Sequence, residues 1–317
     1  MEWSIHAADA SDIRARLSPE EIRHSESDSK LTPALALVAR LIEEYFGQLE
    51  FSRCAYGTEF CENLIPKPAA VQAVLWAAAE YGLPLTFLTP YVSDEGIEAL
   101  KPVFDLLNRS AVDGGMECEV VFNDWGVLSL LRREFPDLIP VQGRLLNKSL
   151  RDPRITGVYP ETSTSLGPQT ALVNLRRSNL DSSSYIGFIS SMGVRKIELD
   201  SLPQGIDLSQ IDERVAVGVY LPFGFTATSR SCLAAGLHYP KRDKFQPGAP
   251  CHHECQTHLV EYTYTNSPFE NRDQKFYLKG NTYFFAHSEA MLRNLFEQAR
   301  QGRLRRLIFQ RRLPMWE

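Results

Sequence analysis

"LEFSRCAYGTEFCENLIPKPAAVQAVLWAAAEYGLPLTFLTP", residues Leu49 to Pro90, decides the architecture. Two apolar runs, "LEFSRCAYG" and "LPLTFLT", flank "KPAAVQAVLWAAAEYG". The middle segment opens with prolines in its first turn and closes on Gly82, the start and stop signals of a helix. Strand, helix, strand is a βα repeat, and it recurs along the chain. "ECEVVFN", "LIPVQGR", "RKIELD", "RVAVGVYLP", "NTYFFA" and "RRLIFQ" bring the strand-like runs to eight.

Helical patterns fall between most of these runs. "DEGIEALKPVFDLLNRS" carries Pro102 early enough to kink it at most. "DWGVLSLLRREF" follows, then "SNLDSSSYIGFISSMG", opened by Asn179 or Asp181 and closed by Gly193. "SEAMLRNLFEQARQG" is framed by Ser288 and Gly302. Eight such units predict a (β/α)8 TIM-like barrel over residues 49–317, with an open doubly wound sheet as the alternative. Residues 1–48 read as an N-terminal extension, with the polar tract "HSESDSK", and a helix from near Pro33 that packs on the barrel. After strand six, about sixty residues between "RVAVGVYLP" and "NTYFFA" show no amphipathic helix. A cysteine-rich insertion, 230–258, occupies that gap.

At 317 residues, 44% hydrophobic and 23% charged, the chain can bury one large core or two ordinary ones. A net charge of -5 supplies no global field for nucleic acid. The N-terminus has no apolar run behind a basic start, and no run approaches the roughly twenty apolar residues of a membrane span. "PALALVARLIEEYF" is interrupted by Arg40 and two glutamates. The expectation is a cytoplasmic protein without a membrane span, in which six cysteines are reduced, buried or bound to metal.

The insertion "RSCLAAGLHYPKRDKFQPGAPCHHECQTH" holds three of the six. Cys251 and Cys255 form a C-x3-C pair, and Cys232 precedes them. Iron-sulfur clusters and structural zinc both take four soft ligands converging on one point. In a barrel, distant residues meet at the C-terminal ends of strands. Cys61 lies just past "LEFSRCAYG" and so belongs to that face, whereas Cys54 sits inside its strand and Cys118 at the opposite end of another. Cys61, Cys232, Cys251 and Cys255 are therefore the expected ligands, and Cys54 and Cys118 the buried bystanders. Zinc stays open as the metal because His252, His253 and His258 offer nitrogen.

These residues resemble the collagenase-like peptidase family, and within it the UbiV-like iron-sulfur proteins. The resemblance rests on "GTEFC" ending at Cys61 and on the trio Cys232, Cys251 and Cys255, with support from "VVFNDWGVLSLL" and "PVQGRLLNK". It implies a [4Fe-4S] cluster on the four cysteines and a part in oxygen-independent hydroxylation of a ubiquinone precursor or related substrate. It also implies a UbiU-like paralogue as heterodimer partner and prephenate as a small-molecule substrate. Relatives hydroxylate RNA bases, which gives one alternative. A non-catalytic, metal-stapled interaction subunit and a collagenase-like peptidase are the others.

Candidate contacts on the loop face are Asn123 and Asn147 for substrate binding, with Asp124 as an acid or base and Arg144 as a carboxylate clamp. The plain reading makes Asp124 the N-cap before "WGVLSLL" and Arg144 the partner of a nearby acid. No nucleophile and base pair for proteolysis stands out, and His238, His253 and His287 are isolated in sequence. The basic C-terminus "RQGRLRRLIFQRRLPMW" reads as a last strand flanked by solvated charges ahead of an RNA stripe.

Overall fold

The structure, a computed structural model, describes residues 1–15, 22, 30–154, 166–209, 211–244, 251–263 and 274–316. The polar tract, except Lys30, and residues 245–250 of the cysteine-rich segment lie outside them.

Strand residues alternate between two environments, and that alternation builds the sheet. The strands are β1 (Glu2–Ala7), β2 (Arg53–Gly57), β3 (Leu85–Leu88), β4 (Cys118–Phe122), β5 (Ile139–Gln142), β6 (Lys196–Asp200) and β7 (Ala216–Leu221). They continue with β8 (Phe223–Thr228), β9 (Val260–Tyr262), β10 (Phe276–Lys279), β11 (Thr282–Ala286) and β12 (Arg306–Gln310). A closed parallel barrel forms in the order β1-β12-β7-β6-β5-β4-β3-β2. Trp3, Ile5, Cys54, Tyr56, Cys118, Val120, Phe122, Leu307 and Phe309 join the large core between sheet and helices. The alternate positions form a small interior cluster of Ala55, Leu88, Val121 and Val141, with charged side chains packed around it.

The surrounding helices are α1 (Ala10–Arg14), α2 (Thr32–Phe46), α3 (Pro68–Glu80), α4 (Asp94–Val112), α5 (Trp125–Glu134), α6 (Leu166–Leu175), α7 (Ser183–Ser191) and α8 (Glu289–Arg300). Their starts follow capping chemistry. Ser93, Asp124 and Ser288 each accept a backbone N–H from the first turn of their helix. Ser182 caps α7, while Asn179 and Asp181, expected to open it, belong to a separate 3-10 turn capped by Ser178. No helix among the described residues is long and apolar enough to cross a membrane.

The barrel is as expected in class, but one of its strands comes from another place in the chain and one expected strand lies outside it. Residues 2–7, read as part of an N-terminal extension, form β1, seated between β12 and β2. "NTYFFA" is a strand, yet it lies in a separate antiparallel sheet of order β8-β11-β10-β9. The cysteine-rich segment consequently follows the seventh barrel strand, since the missed β1 shifts the count by one.

Candidate functional site

Charged residues on the inward positions of the barrel strands find partners across the barrel. Near the N-terminal end, Arg306 grips Glu119 through two N–H groups at 2.7 and 2.9 Å, and Lys196 Nζ donates to the same carboxylate at 2.5 Å. Glu2 links Arg53, at 2.8 Å, to Arg306, at 2.5 Å. Burial alone would raise the Glu119 pKa, but its bonds to Arg306 and the charges of Arg53 and Lys196 hold it well below the usual carboxylate range. Higher in the barrel, Glu198 accepts from the Tyr220 hydroxyl, and burial pushes its pKa up to about 7.

The C-terminal mouth, where barrel enzymes keep their chemistry, is filled by Arg144. Its Nη2 donates to Glu59 at 2.7 Å and its Nη1 to Asp200 at 2.6 Å. Arg151 donates to the other oxygen of Asp200 and to the Arg144 carbonyl. The Arg144 guanidinium lies 3.8 Å from the centre of the Tyr220 ring and 5.0 Å from that of Phe60. Phe60 in turn meets Phe225 and Phe284 of the antiparallel sheet edge-on, both at 5.2 Å. The sheet therefore covers Arg144, which is fully buried. Burial opposes its charge, yet the Glu59 and Asp200 carboxylates outweigh this and raise its pKa.

Three of the four residues expected around a substrate are engaged through their side chains within the protein. Asp124 caps α5, accepting Gly126 N–H at 2.7 Å. Asn123 is buried, donating to the Thr89 carbonyl at 2.8 Å and accepting from Leu145 N–H at 3.0 Å. Arg144 sits beneath the loop face and not on it. Asn147 is also buried, but its Oδ1 has no partner, and it lines an open cleft. Glu59, Asp200 and Arg151 escaped the sequence reading. Glu59 and Asp200 stand at the C-terminal ends of β2 and β6, a position that marks functional or mouth-lining residues in barrels.

The cysteine segments assemble on one turn. Gly280 and Asn281 join β10 to β11, and Asn281 Nδ2 donates to the Phe60 carbonyl at 2.7 Å and the Ser229 carbonyl at 2.6 Å. That ties the residue before Cys61 to the segment that leads into Cys232. Ala234 N–H reaches the Gly280 carbonyl at 3.4 Å, and Ala235 N–H reaches Cys232 Sγ at 3.4 Å. Gly280 has φ +62, and a Cβ there would stand 3.2 Å from Cys255 Cβ. The left-handed backbone favours glycine here, and the approach of Cys255 leaves little space for a side chain. Cys251 and Cys255 bracket a tight turn through His253, whose φ is 57.

Burial pushes the Cys61 thiol up to about 12, with further upward pressure from Cys251, Cys232 and Cys255. Cys232 and Cys255 are likewise raised, first by burial and then in part by thiols of the same group. All four lie within one another's electrostatic reach. Among the described residues, however, no three His, Cys, Asp or Glu side chains stand close enough to hold a single metal ion. Cys54 and Cys118 are buried in the outer core, where burial raises them to about 12 and about 11.

No family model matches the chain, and no curated protein is similar enough to match. Among solved structures, the U32 peptidase Mk0906 shares 14% identity, with 98% of this chain and 91% of that one covered, at a TM-score of 0.37. A glycoside hydrolase family 18 N-acetylglucosaminidase from Paenibacillus barengoltzii shares 11% identity, covering 98% and 94%, at 0.32. The spore cortex-lytic enzyme SleL of Bacillus megaterium shares 9%, covering 86% and 66%, at 0.34. These likenesses are too loose to support more; the barrel rests on the chain's own strand order.

Proposed function

We propose that this chain is an iron-sulfur protein that holds a [4Fe-4S] cluster through Cys61, Cys232, Cys251 and Cys255 and serves in oxygen-independent hydroxylation with a UbiU-like partner. The observation that carries the cluster is the gathering of three distant segments on the Gly280–Asn281 turn, with four thiols in mutual electrostatic reach. Zinc draws its ligands to about 2.3 Å from one centre, and no such set of three is in place among the described residues. A four-iron cube takes one thiolate at each of four corners, the number of thiols gathered here. Bound there, a cluster supplies one-electron transfer.

The chain's own residues shape that pocket. Gln256 Nε2 donates to Cys255 Sγ at 3.4 Å, and Ala235 N–H to Cys232 Sγ at the same distance. Donors of this kind stabilise thiolate charge and tune a cluster's potential. Hydroxylation and the partner rest on the sequence resemblance in the four cysteines and their surroundings.

The peptidase reading, to which the name of Mk0906 points, has less behind it. A peptidase requires a nucleophile activated by a base within a site. Thr257 Oγ1 and His258 Nδ1 are 2.9 Å apart, but they are exposed neighbours in the chain, and the same Nδ1 lies 3.1 Å from the Glu254 carbonyl. That is local turn chemistry.

Iron and acid-labile sulfide, measured on protein purified without oxygen, test the proposal. Cys251→Ala and Cys255→Ala each lower iron content at least about tenfold, whereas Cys118→Ala leaves it unchanged. Equal iron in the three variants would show that other residues hold the metal, or that none do.

A further inference from the structure

We propose that the cysteine-bearing turns form a docking face for an acidic protein that carries a one-electron centre. Three short 3-10 turns build the face: Ala235–His238, Lys241–Asp243 and Glu254–Gln256. The first begins just after Cys232, whose carbonyl accepts Gly236 N–H at 3.2 Å, and the third contains Cys255. His238 Nε2 lies 3.9 Å from Glu254 Oε1, which brings the first and third together. Cys232 and Cys251, on the segments that carry these turns, are half-buried, so the thiol group reaches the surface here.

Charge distinguishes this face. Arg230, Lys241 and Arg242 are exposed, and Lys244 is half-buried. Arg242 pairs with Asp243 at 3.4 Å. Arg230, Lys241 and Lys244 have no carboxylate partner among the described residues, and Arg230 donates to the Val92 carbonyl instead. Of the nearby acids, Glu254 is buried, and Glu62, next to Cys61, accepts from the Ser93 N–H and hydroxyl at 2.7 and 2.9 Å. The chain as a whole carries a net charge of -5. Its overall field repels an acidic partner, while these turns attract it and so set its orientation.

Apolar contact narrows the class of partner. Leu237 is 50% exposed, and Val260, at the start of β9, is 44% exposed. Aliphatic side chains beside unpaired cations suit a protein surface. Single-stranded RNA is held by exposed aromatic platforms, and both tyrosines of these segments, Tyr239 and Tyr262, are half-buried. Redox encounters use small, salt-sensitive interfaces below about 1,200 Å² in total, an extent that three short turns can furnish. That an electron is what passes rests on the cluster proposed above; the docking of an acidic protein does not. One electron leaves the partner's centre, oxidising it, and enters the cluster, reducing it, with no bond made or broken.

Calorimetry at about 20 mM salt, where surface charges are little screened, tests the inference on protein purified without oxygen, with iron measured in the same sample. The probes are an acidic plant-type [2Fe-2S] ferredoxin, a basic c-type cytochrome and a single-stranded RNA of about ten nucleotides. Ferredoxin binds with a Kd on the order of 10 μM, and about 0.3 M salt weakens it about tenfold. Lys241→Glu combined with Lys244→Glu also weakens it about tenfold. Arg303→Glu, ahead of β12 at the opposite end of the barrel, leaves it unchanged. Ferredoxin binding in a sample without iron supports the docking face and overturns the cluster; iron without ferredoxin binding does the reverse. The cytochrome binding as tightly as ferredoxin, or the lysine reversals leaving the affinity unchanged, overturns the inference. RNA binding more tightly than ferredoxin, and lost on the same reversals, overturns it in favour of nucleic acid.

Discussion

Inside the barrel, opposite charges meet: Glu119 with Arg306 and Lys196, Arg144 with Glu59 and Asp200. Around Gly280, like meets like: burial first, and neighbouring thiols second, raise the pKa values of Cys61, Cys232 and Cys255. The first arrangement is matched charge by charge. The second has no such matching and stays neutral by burial. One region is held by ion pairs, the other by a turn that gathers distant segments.

The largest stability effect is expected from breaking the matched set. Arg144→Ala takes from Glu59 the guanidinium bonded to it, leaves Asp200 with Arg151 alone in a covered mouth, and costs about 3–5 kcal/mol, read by urea unfolding. A loss below about 1 kcal/mol, the scale of an exposed pair, would show that the mouth admits water freely.

Glu198 sharpens the comparison through pH. Its folded pKa, about 7, stands above the ordinary 4.5, so the folded state binds the proton more tightly than the unfolded. That contribution is fully present below about pH 4.5 and is lost as pH rises to about 7. At 1.36 kcal/mol for each pH unit, the loss is on the order of 3 kcal/mol. Glu198→Gln gains stability relative to the wild type across this interval, as unfolding curves at pH 4.5 and 8 will record. A constant difference between the two proteins would place the titration elsewhere.

The smallest effect belongs to the thiol pocket. Gly280→Ala forces a left-handed residue to carry a Cβ 2.6 Å from Met315 Cε and 3.2 Å from Cys255 Cβ. The backbone strain is about 1–2 kcal/mol, with iron content falling further than the small drop in Tm would indicate. Iron retained at the wild-type level would mean that Cys255 does not depend on this turn.

The sequence made the barrel class and seven of its strands legible, because each carries an unbroken or alternating apolar run. β1 alternates too, with Trp3, Ile5 and Ala7 in the core, but only the five-residue helix Ala10–Arg14 follows it, so no helical pattern marked it as the start of a βα unit. "NTYFFA" was legible as a strand but not as a member of another sheet, since local pattern does not specify a partner. The buried positions of Cys54 and Cys118 could be read because a place inside a strand is a local feature. Burial of Arg144 could not, because its partners Glu59 and Asp200 are 85 and 56 positions away.

The barrel seam has a consequence for how the protein is made. β1 and β12 pair in parallel, Glu2 beside Arg306 through His6 beside Gln310, across 304 positions of chain. A ribosome delivers seven barrel strands, and Cys61, Cys232, Cys251 and Cys255, before the eighth barrel strand exists. Until then β1 and β7 are bare edges, each able to recruit a strand from another chain. The hazard of aggregation thus falls on the unfinished protein, and the arrival of Arg306–Gln310 removes both edges at once.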